Sequence, residues 1–79
     1  MNIEQIEEAI ARKVPFTIKV ADGDTFLVKH TDYISVPGPN VPRRSFVIVY
    51  NERGFAHVLP LVMVTSLTYP VEEQSPNRD

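Results

Sequence analysis

Cysteine is absent from this 79-residue chain, and so is tryptophan. Without cysteine there are no disulfides, no thiolate nucleophile, no iron–sulfur cluster and no cysteine-based zinc site. Only three glycines are present, too few and too scattered for a loop that cradles phosphate. Charge of one sign is lacking as well. Eight Lys plus Arg stand against ten Asp plus Glu, a net charge of −2, the wrong sign for coating DNA or RNA through bulk charge. No long hydrophobic run occurs: the most apolar stretch, Phe55 to Leu67, is interrupted by His57, Pro60, Thr65 and Ser66. It falls short of the ~20 apolar residues that span a bilayer. The N-terminus is acidic and periodic, without the basic start and apolar core of a secretory signal. These absences make the cytoplasm the expected compartment, with no membrane and no DNA among the expected partners.

What is present reads as one small domain. At 43% hydrophobic the chain has the apolar share of a folded protein. Asn2 followed by Gln5 forms a capping-box pattern, and Ile3, Ile6, Ala9 and Ile10 share one face. An amphipathic helix is therefore expected over residues 3–12, closed by Val14-Pro15. After Pro15 the period changes to two. Phe16, Ile18 and Val20 alternate with Thr17 and Lys19 as in a half-buried strand. Ala21-Asp22-Gly23-Asp24 reads as a hairpin turn, with both aspartates serving the turn rather than an acid–base pair. A second strand follows over 25–30, then a bend at Thr31-Asp32 and a short third strand from Tyr33 to Val36.

Residues 37–44 carry three prolines and a glycine and cannot be sheet interior. Phe46-Val47-Ile48-Val49-Tyr50, apolar without a break, predicts a central strand covered on both sides. Asn51 to Gly54 is a hairpin loop, Phe55 to Leu59 a strand, Pro60-Leu61-Val62 a sharp turn with 3₁₀ character, and Met63 to Tyr69 the last strand. The expected fold is mainly β: a small SH3-like barrel of five or six strands plugged by the N-terminal α-helix. That domain occupies residues 1–70, and 71–79 form a polar, flexible tail.

The order of helix, then Val14-Pro15-Phe16-Thr17-Ile18-Lys19-Val20, then Asp22-Gly23, resembles the start of the Sm-like family, the Hfq-type RNA chaperones especially. Val62 to Pro70 is similar to the last Sm strand. The resemblance implies a barrel, a ring-like oligomer and RNA binding. It does not carry the RNA signature with it: Leu59-Pro60-Leu61 stands where that family has Tyr-Lys-His, and only Tyr33 matches its stacking aromatic. The chain more closely resembles a widespread, uncharacterised set of small bacterial proteins. The shared features are Pro15-Phe16, Ala21-Asp22-Gly23, His30 with Asp32-Tyr33, and the apolar run ending in Val64-Thr65-Ser66. That likeness implies no particular activity.

Candidate chemistry is sparse. Arg43 and Arg44 are the one pair of adjacent arginines, and with Lys29 and Tyr33 they are the candidates for contact with RNA or another ligand. His30, Asp32 and His57 are the weak candidates for a metal site, since two histidines and a carboxylate are the minimum for an open one. Spacing favours the plainer roles of exposed imidazole and turn-forming aspartate. No nucleophile–base–acid pattern and no cofactor motif is present. The expected function is a small, non-catalytic binding or interaction module that self-associates, through strand edges or the Phe55 to Leu67 region, or engages a protein partner. The alternative is an Sm-like RNA-binding protein.

Overall fold

The structure is a computed structural model and describes residues 1–70; the tail expected over 71–79 lies outside the described residues. The first helix, α1, spans Ile3–Ala11. Its capping box forms as the sequence indicates: the Gln5 N–H donates to Asn2 Oδ1, and the Asn2 N–H donates to Gln5 Oε1, each at 3.0 Å. The helix stops before Val14-Pro15. Lys13 adopts φ 59°, a left-handed conformation, and its N–H returns to the Ile10 carbonyl at 3.1 Å. That is the terminating geometry usually given to glycine.

Six strands follow: β1 (Phe16–Val20), β2 (Thr25–Val28), β3 (Ile34–Ser35), β4 (Phe46–Tyr50), β5 (Ala56–Pro60) and β6 (Val64–Thr68). They pair antiparallel into two three-stranded sheets, in the orders β2-β1-β6 and β3-β4-β5. The protein is thus mainly β with an N-terminal helix. No strand pairing links the two sheets into a closed barrel among the described residues. β2 ends two residues sooner than expected and β3 begins one later. Residues 31–33 form a 3₁₀ turn instead of a simple bend, capped by the His30 side chain. A second 3₁₀ turn, Leu61–Met63, lies where Pro60-Leu61-Val62 predicts one. Among the described residues no helix is long and apolar enough to cross a membrane.

One apolar cluster joins the three layers. Ile6, Ile18, Val28 and Val47, from helix, first sheet and second sheet, are the largest side chains wholly withdrawn from water. Ile3 and Ala9 extend the helix stripe into it, and Leu59, Leu61 and Val64 join it from the end of the chain. β1 alternates as predicted, with Phe16, Ile18 and Val20 inward. β4 does not behave as expected. It is central in its sheet, but only Val47 and Val49 are buried, whereas Phe46 and Ile48 are half-buried and Tyr50 is exposed. The unbroken run suggested two covered faces. Among the described residues no second layer lies over the outward one, because the helix packs with the inner face.

The proline-rich loop is tied down by Arg44. Its Nε donates to the Pro37 carbonyl at 3.0 Å, and its guanidinium bonds the Glu7 carboxylate of α1. Arg43, beside it, takes φ 56°.

Candidate functional site

Two surface features have the makings of a site. The first is the outward face of β4 and β5. Strand register sets Phe46 opposite Pro60, Ile48 opposite Val58 and Tyr50 opposite Ala56. These residues alternate with the buried Val47, Val49 and Leu59, so they share the outer face. Across the third strand only Ser35, opposite Ile48, is polar. No charged side chain lies on this face, and Val58 is 60% exposed. β5 pairs with β4 alone, so its other edge carries unpaired backbone groups among the described strands.

The second is a groove of about 380 Å³ where β2 meets the β4–β5 hairpin. Phe26, Tyr33, Tyr50 and His57 supply its rings, and Lys29, Glu52 and Asn51 its polar groups. Phe26 and His57 face one another with centroids 5.1 Å apart and planes tilted by 52°. Lys29 Nζ donates to Glu52 Oε2. That hydrogen bond and the Glu52 charge, with a smaller contribution from Tyr33, hold the Lys29 ammonium above its ordinary pKa of 10.5. The loop that presents Glu52 is fixed from within. Asn51 Oδ1 accepts from the Arg53 N–H at 2.8 Å and the Phe55 N–H at 3.0 Å, and Gly54 turns with φ 88°.

The residues singled out from sequence are dispersed. Lys29 and Tyr33 meet in this groove. Arg44 is engaged with Glu7 of α1 and the Pro37 carbonyl, outside this groove. Arg43 makes no ion pair among the described residues. His30 Nδ1 accepts weakly from the Asp32 N–H at 3.4 Å and lies 3.4 Å from the Asp32 carboxylate, both side chains well exposed. His57 is elsewhere, against Phe26 in the groove, while His30 borders a separate recess beside Ile10 and Phe16. No group of three metal-ligating side chains gathers among the described residues. Asp22 serves its turn, its Oδ1 accepting from the Asp24 N–H at 3.0 Å.

Sequence reasoning missed Phe26, Glu52 and Asn51 as groove residues. Phe26 stood only as part of the second strand, and Glu52 sat in a loop assigned only a turning role. The signal that links them is long-range: Lys29 and Glu52 are 23 positions apart. Comparison with protein-family models, with curated proteins and with solved structures gave no match to this chain.

Proposed function

We propose that the chain is a small, non-catalytic interaction module of SH3-like or Sm-like type that self-associates through the outward face of β4 and β5. The observation that carries this reading is the uncharged outer register, Phe46, Ile48 and Tyr50 facing Pro60, Val58 and Ala56. A second copy is the occupant this surface suits. Two copies of an uncharged face meet without repulsion, although the whole molecule is acidic, because Glu4, Glu7 and Glu8 lie on the helix and not on this sheet. Covering the exposed part of Val58 is worth about 1–2 kcal/mol for each copy. Association itself costs about 4 kcal/mol or more, so the expected assembly is concentration-dependent.

An RNA-binding role has less support from the geometry. Of the three basic candidates, Arg44 is committed to Glu7 and Lys29 to Glu52, and nothing aligns them with Arg43 into a basic track.

Sedimentation velocity over a concentration series tests the proposal. The wild-type chain is expected to shift from monomer to dimer as concentration rises. Val58→Glu, which places a carboxylate on the shared face of both copies, is expected to stay monomeric with an unchanged circular dichroism spectrum. A wild-type chain that remains monomeric up to about millimolar concentration would refute self-association.

A further inference from the structure

The groove between β2 and the β4–β5 hairpin is made of parts that suit one kind of guest. Its rings come from Phe26, Tyr33, Tyr50 and His57, and its one carboxylate from Glu52. Its size falls within the about 300–1,000 Å³ usual for ligand pockets. The carboxylate is held by the chain's own Lys29 ammonium, a cation tethered on an exposed and flexible stem. We infer that the groove is a docking site for a guanidinium, an arginine side chain presented by a peptide segment of a partner protein. This inference does not rest on the association of copies proposed above.

The rings select the sign of the guest. Lys29 and Glu52 neutralise one another, so the choice falls to the aromatic faces of the lining, which attract a cation and not an anion. A partner's lysine would merely exchange one ammonium for another. A guanidinium gains in two ways over the resident group. Its fork can make two parallel N–H···O bonds to a carboxylate where an ammonium makes a point contact. Its flat, weakly hydrated face also stacks on aromatic rings, an attraction of about 0.5–2 kcal/mol. The same pairing already occurs within this chain, where the Arg12 guanidinium lies 4.3 Å over the Tyr69 ring. The Asn51 bonds hold the loop bearing Glu52 in place before any guest arrives, so little ordering cost remains. Lys29 then acts as a tethered rival that keeps the carboxylate satisfied when no partner is bound.

The test is an NMR titration of the isotope-labelled full chain with the acetylated, amidated tripeptide Gly-Arg-Gly, beside its citrulline and lysine counterparts. The arginine peptide is expected to give saturable shifts centred on the amides of Asn51, Glu52 and His57. Lys29→Met, which removes the rival, is expected to tighten binding several-fold. Glu52→Gln is expected to weaken it about tenfold or more, the loss of a hydrogen-bonded charge pair. Both substitutions are at exposed side chains, and a dispersed spectrum verifies their fold. Repeating the titration on Val58→Glu separates this site from self-association, since the groove response should persist there. The inference is overturned if Lys29→Met shows no saturable shift, if citrulline or lysine peptides bind as well as arginine, or if Glu52→Gln binds unchanged.

Discussion

Ile6→Ala is the sharpest probe of how this small fold holds together. Ile6 lies mid-helix with 0% of its surface exposed, in one cluster with Ile18 of the first sheet and Val47 of the second. Truncating a buried isoleucine to alanine costs about 2–5 kcal/mol, the transfer loss plus the cavity left behind. The whole chain, at about 0.05–0.15 kcal/mol per residue, is stable by roughly 4–12 kcal/mol. A single substitution therefore removes a large part of the total. The helix is too short to persist alone, so it has no reserve of its own with which to compensate. In a domain of this size each kcal/mol lowers Tm by about 4–8 °C, so a drop of at least about 8 °C is expected. Thermal denaturation followed by circular dichroism measures the drop, and urea denaturation followed by tyrosine fluorescence the free energy, the chain having no tryptophan. Val62→Ala is the control: that side chain is apolar but 85% exposed, and its loss should stay within about 0.5 kcal/mol. If Ile6→Ala costs no more than Val62→Ala, the helix is not the third layer of the core.

Other substitutions test local geometry. Lys13→Gly should stabilise the chain by about 0.5–1 kcal/mol in the same denaturation assay, because Lys13 holds a left-handed φ at the helix end that glycine adopts without strain. Arg44→Ala should cost about 1–3 kcal/mol, since it releases both the Pro37 carbonyl and the Glu7 carboxylate; Arg44→Lys should recover only part of that. The Lys29–Glu52 pair sets a pH signature. Because the folded Lys29 pKa lies above 10.5, its contribution is complete below that pH and is lost as pH rises through the higher folded value. An NMR titration of the Lys29 ε-methylene should show a midpoint above 10.5 that falls in Glu52→Gln; an unchanged midpoint would deny the pair in solution.

The parts of this structure legible in sequence are those written in neighbouring residues. The Asn2–Gln5 capping box, the isoleucine stripe and the alternation of β1 all involve partners within four positions, and all three form. The helix ends within a residue of the expected position, although the turn that closes it, a lysine at φ 59°, is not announced by its residue type. Arg44 read as a free loop cation since its partners, Pro37 and Glu7, are seven and 37 positions away. For the candidate site, Lys29 and Tyr33 were named from sequence only together with Arg43 and Arg44, which do not line the groove. Glu52 and His57 joined Phe26, Lys29 and Tyr33 only through the packing of one sheet against the other, which sets side chains together without any trace in local spacing. The unbroken apolar run of β4 was read as burial on both sides. Its outward face has no covering layer among the described residues.

That run has a further consequence for folding. A strand that alternates apolar and polar residues can settle in only one phase, because a shift by one position turns its oily side to water. β4 carries no such penalty of its own: sliding Phe46-Val47-Ile48-Val49-Tyr50 by one residue still presents apolar side chains inward. The phase must be imposed by its partner and by the hairpin between them. β5 offers one buried side chain, Leu59, and the hairpin offers Asn51, whose single oxygen accepts two backbone N–H groups of the loop. Asn51 is thus the index mark of the second sheet. Losing it should produce a mixture of slipped pairings, visible as peak doubling along β4, where an ordinary loop substitution would leave a single set of resonances.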